Sequence, residues 1–526
     1  MRHDQEYASI PNAIRRAADR FGDAPAIVDG LQRWSFRKLG EQMAQAVRAV
    51  IALGIGHGDR VGLCAANSAE WIVAALGIQG AGGIVVPLNT RFKPAELAYV
   101  LRASGAKALF AGDFLGSDYI GELRRTEPDL PALRTTVSLH TERGSADLAW
   151  PGFLAAGTAV AESEAHASID LLTPDRVCDI MFTSGTTGHP KGVMLTHGQS
   201  LRLYGWLGQA YTYDRSDISL IIPPFFHCFG SKAGWLTSLL YGVAVVPMPV
   251  FDARRTLELI SEEKVTVLTG PPTLFQDLIN HPDRPRHDLT SLRFAMTGAT
   301  TIPEPLIHAM HDELSFDIVM SAYGLTEASA LVTTTRVGDS ARTVARTTGQ
   351  AVPDVEVRIV DTDGRELPTG QPGEVMVRGY TVTRGYWGNR EATAATVGRE
   401  GWLHTGDVGS LDPEGNLSII DRIKDMYICG GFNVYPAEVE RLLQSCESVE
   451  QASVVSVPDP RLGEVGCVFV VPRPGHRLTE EQVITWARGS MANFKVPRHV
   501  RFVDQLPRNA SHKVLKHQLR AEFTAG

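Results

Sequence analysis

The feature that most constrains the fold is a repeated alternation of short apolar runs with segments of helical periodicity. Near the start of the chain, RVGLCAA, GIVVPLN and KALFAG are separated by two predicted helices. The pattern recurs over residues 218–320, where ISLIIPP, VAVVPMP, VTVLTG, LRFAMTGA and DIVMSAYG alternate with helices. Buried apolar strands joined by helices pack as largely parallel sheets with helices on their faces. The sequence therefore predicts an α/β protein whose N-terminal part contains two related α/β lobes.

The pattern changes in the last third of the chain. Over residues 349–420, short strand-like runs (VEVRIVD, GEVMVRG, NLSIID) lie among glycine and proline turns, which predicts a small β lobe. A compact α+β segment follows residue 421. We therefore predict a large domain over residues 1–420, a short hinge at residues 421–424 and a small domain over residues 425–526.

Composition excludes several classes of protein. The 526 residues are 44% hydrophobic and 21% charged, which excludes wholesale disorder. The 51 basic and 59 acidic residues leave a net charge of −8, so no basic surplus favours nucleic acid or an anionic membrane. Six scattered cysteines without a CxxC pair indicate free thiols in a reducing cytoplasm. The N-terminus MRHDQEYASI lacks the apolar core of a signal peptide.

The strongest local signal is TSGTTGHPKG at residues 183–192, which follows a predicted buried strand. Glycines let the backbone approach an anion, hydroxyl groups donate hydrogen bonds, and Lys191 adds a positive charge. This combination suits a polyphosphate, although it is not the P-loop motif because Gly192 follows the lysine. A solvated turn is the alternative interpretation.

Four further segments carry polar groups on turns. They are YGLTE at residues 323–327, HTGD at 404–407, DRIKDMYICGGFN at 421–433 and PRNASHK at 507–513. Taken alone, each also fits an ordinary helix cap or turn. YGLTE follows a predicted strand end, where α/β sheets bind ligands, and its hydroxyl and carboxylate could hold Mg²⁺.

Together, in this order, these motifs resemble those of the ANL superfamily of adenylate-forming enzymes. The resemblance extends over residues 8–520 and includes GEVMVRG and GGFNVYPAEVE. It implies a large N-terminal domain that binds ATP and an acid, and a small C-terminal domain that swings over it. The implied reaction has two steps. A carboxylate attacks the α-phosphate of Mg·ATP to give an acyl-adenylate, and a thiol, usually that of CoA, then displaces AMP.

The resemblance assigns nucleotide contacts to residues of these motifs. They are Thr183, Ser184, Gly185, Thr186, Thr187, Lys191, Gly298, Ala299, Tyr323, Gly324, Asp407 and Arg422. Among these, Asp407 and Arg422 match ribose contacts, and Gly298 and Ala299 match the turn beside the adenine and the acid. Thr326 matches a phosphate-contacting threonine, and Glu327 matches the carboxylate associated with Mg²⁺.

Other assignments concern the acid, the thiol and domain rotation. Lys513 matches the lysine that bridges carboxylate and phosphate during adenylation, and Lys424 matches the hinge. Gly430 and Gly431 match the loop that lines the thiol tunnel. His227 matches the residue beside the acyl carbon, with a buried core histidine as the alternative interpretation. The acyl pocket is assigned to Phe226, His227, Phe229, Gly230, Trp235 and Gly324, with Phe225 nearby.

One residue departs from the family pattern. The terminal loop usually reads Ser-Gly-Lys, and here His512 stands where the glycine is expected, directly before Lys513. A side chain at a backbone position that favours glycine can cost about 1 kcal/mol. Because Lys513 serves the first half-reaction, adenylation is the step placed in doubt. The alternative is a tolerated substitution with full two-step activity.

The aromatic and small residues of the acyl segment favour a bulky apolar acid over acetate. A narrower resemblance, in FFHCFGSKAG and PDPRLGEVG, is to actinobacterial CoA ligases for polycyclic propanoates from steroid-ring breakdown. Diterpenoid acids fit equally, and medium-chain or aryl acids are the next alternative. A thioesterification-only enzyme fed by a partner adenylating ligase, and a non-catalytic nucleotide-binding homologue, are the remaining alternatives. The expected ligands are ATP or acyl-adenylate, CoA and Mg²⁺, in a cytoplasmic enzyme without nucleic-acid partners and compatible with a homodimer.

Overall fold

The computed structural model describes residues 2–142, 144–183, 190–298, 302–430, 432–508 and 514–525. Contacts divide the chain into a first unit, Met1–Glu356 with Arg378–Leu403, and a second unit, Val357–Val377 with His404–Gly526. This division differs from the predicted boundary at residue 420, because most of the small β lobe groups with the C-terminal residues. The hinge at residues 421–424 stays a prediction.

The first alternating series forms a sheet in the first unit. Within the described residues it has six strands, in the spatial order Thr135–Ser138, Ala108–Ala111, Arg60–Cys64, Ile84–Pro87, Val177–Thr183 and Lys191–Thr196. Neighbouring strands are parallel except the last pair, which is antiparallel and places Thr183 opposite Lys191. The predicted parallel arrangement is confirmed, and both ends of the TSGTTGHPKG segment lie in strands of this sheet.

The second series forms the other large sheet of the first unit. The described part of the chain contributes nine strands to it, in the order Gln350–Ala351, Thr333–Thr334, Ile318–Tyr323, Phe294–Gly298, Val267–Gly270, Ile218–Ile221, Ala244–Pro247, Pro25–Asp29 and Gln32–Ser35. Its six central strands, from Ile318–Tyr323 to Pro25–Asp29, are parallel. The two lobes predicted from the alternating pattern are therefore two sheets.

Helices cover these sheets. Those of the first unit are His3–Glu6, Ile10–Phe21, Phe36–Ala52, Ala69–Gly80, Pro94–Ser104, Tyr119–Thr126, Trp150–Ala156, Glu162–Asp170, His197–Ala210, Cys228–Gly230, Thr237–Leu240, Ala253–Glu263, Pro272–Ile279, Glu304–Leu314, Ala341–Arg346 and Arg390–Thr396. A π-helix occupies Ser231–Leu236, and short 3₁₀ turns occupy Gly157–Ala159, Arg284–Arg286 and Thr326–Ala328.

Serine side chains cap the N-termini of several of these helices. Ser9 and Ser35 accept hydrogen bonds from the N–H groups three residues later, at Asn12 and Lys38. Ala69–Gly80 is buried on all sides, which accounts for its apolar sequence. None of the helices seen in the described residues has the length and apolar character to cross a membrane.

The second unit contains most residues of the remaining strands. A sheet whose described strands number four has the order Val355–Val360, Gly373–Gly379, Leu403–Leu411 and Leu417–Arg422. The C-terminal sheet, with five strands in the described ranges, has the order Phe432–Val434, Tyr427–Cys429, Gly463–Pro472 and Val449–Asp459, with His499–Phe502 parallel to Gly463–Pro472. Its helices are Pro436–Gln444, Glu480–Ser490 and Lys516–Ala525.

Candidate active site

The carboxyl ends of two neighbouring strands start the candidate site in the first unit. Phe294–Gly298 and Ile318–Tyr323 are parallel, and Gly298 lies opposite Ala322. Open α/β sheets bind ligands at this end. Gly298, Tyr323 and Gly324 are therefore brought together where the resemblance expects the adenine and the acid.

A tight turn follows these strands. A Cβ atom at Gly324 would lie 2.2 Å from the Ala330 carbonyl oxygen, so only glycine fits there. Ser329 and Ala330 adopt left-handed backbone conformations, with φ of 54° and 64°. Such conformations cost on the order of 1 kcal/mol each in residues with side chains. The hydrogen bond from Ser329 Oγ to the Thr381 carbonyl (2.8 Å) helps to hold the turn, which presents Thr326 and Glu327.

Glu327 accepts two side-chain hydrogen bonds on one carboxylate oxygen. The Tyr386 hydroxyl donates to Oε1 at 3.0 Å, and Thr183 Oγ1 donates to the same atom at 3.4 Å. Burial and the nearby Glu327 charge raise the pKa of Tyr386 to about 12, so its hydroxyl stays a donor at neutral pH. The geometry thus joins the end of the strand Val177–Thr183 to the YGLTE motif.

The same tyrosine contacts Lys191. The Lys191 Nζ atom lies 5.1 Å from the centroid of the Tyr386 ring, within the range of a cation–π interaction. Backbone hydrogen bonds fix the segment that carries Tyr386. The Trp387 N–H donates to the Gly192 carbonyl at 2.7 Å, and the Thr383 N–H donates to the Glu327 carbonyl at 2.8 Å.

The cluster has the chemistry of a Mg²⁺·polyphosphate site. Mg²⁺ is usually held by one or two carboxylates together with phosphate oxygens and water, not by a cage of protein ligands. Within the ranges that the structure describes, no group of three or more His, Cys, Asp or Glu side chains could hold a metal ion. The single carboxylate of Glu327, beside the hydroxyl of Thr183, fits Mg²⁺ binding by one carboxylate together with phosphate oxygens and water.

A second feature of the first unit is the segment that carries His227. His227 is exposed and immediately precedes the short helix Cys228–Gly230, and its ring lies 4.7 Å from that of Phe226. A Cβ atom at Gly230 would lie 2.2 Å from the Pro223 carbonyl oxygen, which makes glycine necessary there. The exposure of His227 contradicts the interpretation as a buried core histidine and suits a role at a substrate.

Buried Asn67 holds the backbone before His227. Its Nδ2 donates to the Pro223 carbonyl at 3.0 Å, and its Oδ1 accepts from the Phe225 N–H at 2.8 Å. No local sequence pattern indicates this contact, because Asn67 lies 158 residues from Phe225 in the chain.

The aromatic residues predicted for the acyl pocket differ in exposure. Phe229 is half-buried, Phe226 is 8% exposed, and Trp235 is only 1% exposed. The Trp235 ring packs edge-on against Trp71, which also contacts Phe225. Trp235 and Phe225 therefore belong to an aromatic core behind the segment, and the assignment of Trp235 to the pocket stays a prediction.

In the second unit, Asp407 and Arg422 form a cross-strand ion pair. They are register partners on neighbouring antiparallel strands, and Arg422 Nε lies 3.0 Å from Asp407 Oδ1. The Asp407 side chain is 5% exposed and that of Arg422 is 45% exposed. The structure therefore brings together the two residues assigned to the ribose.

Three further motif residues of the second unit lie in or after the strand Leu417–Arg422, namely Asp421, Lys424 and Gly430. Asp421 is buried, which raises the pKa of its carboxyl group, and it accepts a hydrogen bond from the Ala437 N–H at 2.8 Å. It thus caps the helix Pro436–Gln444. Lys424 is exposed, and partial desolvation lowers the pKa of its ammonium group. Gly430 has a φ of 57° and donates its N–H to the Leu462 carbonyl at 2.9 Å.

Some predicted site residues lie outside the described residues. They are Ser184, Gly185, Thr186, Thr187, Ala299, Gly431, His512 and Lys513. Their assignments stay predictions.

Tyr386 was not among the site residues predicted from the sequence. Its signal is the RGYWGN segment, in which aromatic residues lie between glycines, but nothing in that pattern indicates Glu327 as the partner. The structure identifies Tyr386 because it contacts two residues that the motifs had singled out.

Comparison with known proteins agrees with this geometry. The AMP-binding enzyme family matches residues 14–387, and the AMP-binding enzyme C-terminal domain matches residues 438–513. The chain belongs to the AMP-binding enzyme family. The two matches cover the Glu327 cluster and much of the C-terminal sheet, and they confirm the resemblance to adenylate-forming enzymes.

Two relatives of this AMP-binding enzyme share nearly half of its residues. A 3-[(3aS,4S,7aS)-7a-methyl-1,5-dioxo-octahydro-1H-inden-4-yl]propanoyl:CoA ligase of Rhodococcus jostii (strain RHA1) is 46% identical over 98% of this chain and 99% of its own. The ligase of the same name from Mycobacterium tuberculosis is 47% identical over 98% and 99%.

A solved structure agrees in fold. The anthranilate CoA ligase AuaEII in complex with anthranoyl-AMP superposes with a TM-score of 0.85 at 26% identity, covering 99% of this chain and 98% of that one. This AMP-binding enzyme is accordingly an AMP-forming acid–thiol ligase that uses ATP, CoA and Mg²⁺.

Proposed function

We propose that this ligase joins CoA to a bulky fused-ring propanoic acid and catalyses both half-reactions itself. The observation that carries the proposal is the 46–47% identity, over nearly the whole chain, to two ligases named for such an acid. The acyl segment is compatible with it, because Phe226 and Phe229 are apolar, and Gly230 adds no side-chain bulk.

The first half-reaction brings together two anions. A carboxylate oxygen of the acid attacks the α-phosphorus of ATP, the bond from that phosphorus to the bridging β-phosphate oxygen breaks, and pyrophosphate leaves. Positive charge and hydrogen-bond donors therefore lower the barrier. Mg²⁺, when held by Glu327, would supply much of the charge that neutralises the phosphates.

The chain's own groups supply the rest. Lys191, held over the Tyr386 ring, offers an ammonium group, and the Thr183 hydroxyl lies at the end of the same strand pair. Asp407 offers carboxylate oxygens that accept hydrogen bonds from ribose hydroxyls, beside Arg422. We assign Lys513 to the bridge between carboxylate and phosphate, as the family resemblance implies.

The second half-reaction forms the thioester. The CoA sulfur attacks the acyl carbon, the bond from that carbon to the AMP oxygen breaks, AMP leaves, and the thiol proton is lost to water. We assign His227 to the border of the acyl carbon because it is exposed and held by a segment that Asn67 anchors. We assign Gly430 and Gly431 to the thiol path and Lys424 to the hinge between the two steps.

We place the reaction in the cytoplasm. All six cysteines lie among the described residues and none is in a disulfide, which supports a reducing compartment.

A panel of four carboxylic acids tests the proposed substrate class. Pyrophosphate release would be measured with Mg·ATP and 3-(7a-methyl-1,5-dioxo-octahydro-inden-4-yl)propanoic, dehydroabietic, octanoic and benzoic acids. We expect the first acid to have a kcat/KM at least ~10-fold above the others, which corresponds to about 1.4 kcal/mol of transition-state binding. An equal or higher value for octanoic or benzoic acid would overturn the proposed substrate class.

His512 provides the test of the two-step assignment. Synthetic acyl-adenylate and CoA would be supplied separately to measure thioester formation alone. If the wild type catalyses both steps, His512→Gly should change pyrophosphate release by less than about 3-fold, under 1 kcal/mol. Thioester formation without pyrophosphate release in the wild type, with release restored in His512→Gly, would instead support dependence on a partner adenylating ligase.

A further inference from the structure

A buried ion pair joins the strand Val177–Thr183 to the π-helix Ser231–Leu236. Lys232 Nζ lies 2.5 Å from Asp179 Oδ2, and the two side chains are 2% and 4% exposed. Desolvation of two charges is costly, and replacing a buried ion pair by apolar residues is often neutral or stabilising. A contribution to stability therefore explains the presence of the ion pair only weakly. Its location suggests a role in positioning.

The Asp179 carboxylate is held from several directions. Gln79 Nε2 donates to Oδ1 at 3.2 Å, and the Cys178 thiol donates to Oδ2 at 3.0 Å. Burial and the Asp179 charge raise the pKa of the Cys178 thiol, so it stays protonated and able to donate. The carboxylate is a fixed point of the strand that leads into the TSGTTGHPKG segment.

Lys232 is the second residue of the π-helix and takes part in its wider winding. Its carbonyl accepts hydrogen bonds from both the N–H and the hydroxyl of Thr237, five residues later, the hydroxyl at 2.8 Å. Burial is the largest effect on the Lys232 ammonium and lowers its pKa, but the charge and hydrogen bond of Asp179, together with the Cys178 and Cys228 thiols, raise it, and the net direction is upward. The side chain is therefore charged when it meets Asp179.

The π-helix is also tied to His227. The N–H and the hydroxyl of Ser231 both donate to the His227 carbonyl at 2.9 Å. π-Turns occur mostly as single-turn bulges inside α-helices, and they are frequent at functional sites. Rewinding the segment as an α-helix would rotate Lys232 by about 100° relative to His227 and break its contact with Asp179.

We infer that Lys232 and Asp179 are positioning residues, which hold the register of the π-helix and thereby seat His227 and Gly230 for the acid substrate. The pair fixes this segment to the strand that ends at Thr183, so the acid and the phosphates are held by one rigid connection. The inference rests on the proposed function only in taking residues 226–230 as the acid site.

The test separates positioning from stability. Lys232→Met removes the cation and leaves the buried Asp179 charge unpaired, so both folding and positioning should suffer. Lys232→Met combined with Asp179→Asn removes both charges, so stability should recover while the anchor remains lost. In the double variant we expect the KM for the acid to rise ~10-fold or more and the KM for ATP to stay within about 2-fold, since binding changes of 1.4 kcal/mol are tenfold.

A matched control accounts for a general loss of stability. Leu257 is fully buried in the helix Ala253–Glu263, away from both segments, and Leu257→Ala should lower the melting temperature without changing the acid KM. An acid KM in the double variant equal to that of the wild type would overturn the inference, as would an equal rise in the KM values for acid and ATP.

The measurement uses whichever acid the wild type turns over best. If the fused-ring acid is not a substrate, the proposed function fails, yet the split between the KM values for acid and ATP still decides the role of the pair. If Lys232→Met does not fold, the double variant alone gives the answer.

Discussion

The hydroxyl of Tyr386 lies 3.0 Å from Oε1 of Glu327, and the ring of the same tyrosine lies 5.1 Å from Nζ of Lys191. One side chain therefore contacts both the carboxylate assigned to Mg²⁺ and the ammonium assigned to the phosphates. Tyr386 can therefore position both charged side chains, those of Glu327 and Lys191.

Removal of the Tyr386 hydroxyl should weaken the first half-reaction. Tyr386→Phe keeps the ring under Lys191 but loses the hydrogen bond to Glu327. A hydrogen bond to a charged acceptor is worth about 1.5–3 kcal/mol. We expect kcat/KM for ATP in pyrophosphate release to fall ~10-fold or more, while thioester formation from supplied acyl-adenylate stays within about 2-fold. Steady-state kinetics of the two half-reactions measure this.

Tyr241→Phe is the matched control for Tyr386→Phe. This substitution also removes one hydroxyl donor, which in the wild type donates to the Gly205 carbonyl at 2.5 Å. Because that hydrogen bond is not part of the Glu327 cluster, Tyr241→Phe should leave both rates unchanged. An equal loss in the two half-reactions for Tyr386→Phe would contradict the role given to its hydroxyl.

Asp407 should be responsible for recognition of the ribose. A charged hydrogen bond to a ribose hydroxyl is worth about 1.5–3 kcal/mol, so the wild type should prefer ATP over 2′-deoxy-ATP or 3′-deoxy-ATP by ~10-fold or more. In Asp407→Asn, which keeps the side-chain size, that preference should fall to about 2-fold. The kcat/KM ratio for each nucleotide pair measures it, and a variant that kept the wild-type ratio would refute the assignment.

The glycine after Tyr323 should not tolerate a side chain. In Gly324→Ala the new Cβ would meet the Ala330 carbonyl oxygen at 2.2 Å, so the turn that carries Glu327 must move. A displacement of about 1 Å at a catalytic group can cost ~100-fold, and we expect a loss of that order in pyrophosphate release. Gly56→Ala, where a Cβ meets nothing within 4 Å, should be active, and comparable activity in Gly324→Ala would show that the turn adapts.

His197 should make the fold sensitive to acid. It is 1% exposed and accepts the Ile10 N–H at 3.2 Å, and burial lowers the pKa of its imidazole to about 3. Because this pKa is below the unfolded value of about 6.5, the stabilisation is complete above pH 6.5 and is lost as the pH falls toward 3. Between pH 7.5 and 5.5 this residue should reduce the free energy of unfolding by about 1.4 kcal/mol.

Urea unfolding at the two pH values tests the His197 prediction. His197→Gln should be less stable at pH 7.5 but should lose less stability on acidification than the wild type. His308→Gln, at an exposed position, should follow the wild type. A His197→Gln variant with the wild-type pH dependence would place the acid sensitivity elsewhere.

The strand and helix series could be predicted because their signals are local. A buried parallel strand such as Val267–Gly270 is a continuous apolar run, and Ser9 and Ser35 mark helix starts within a few residues. The division into units could not be predicted in the same way. It depends on contacts of Val357–Val377, a segment whose local pattern of short strands fits either unit.

The residues of the candidate site also divide into those with a local sequence signal and those identified only by long-range contacts. Thr183, Lys191 and Glu327 were found because their motifs are short and ordered along the chain. Lys232 was not among the residues predicted from the sequence, because it is a lone charge within FFHCFGSKAGWL and its partner Asp179 lies in a distant strand. Long-range pairing and the extra residue of a π-turn leave no local pattern to read.

The return of Arg378–Leu403 to the first unit has a consequence for biosynthesis. Glu327 emerges from the ribosome 59 residues before Tyr386, its hydrogen-bond partner. A nascent chain that ends at Glu356 contains every strand of both large sheets found in the described residues, yet the Glu327 carboxylate still lacks its tyrosine. The polyphosphate cluster is thus completed late in translation, after the whole of the second unit's first segment, Val357–Val377, has been made.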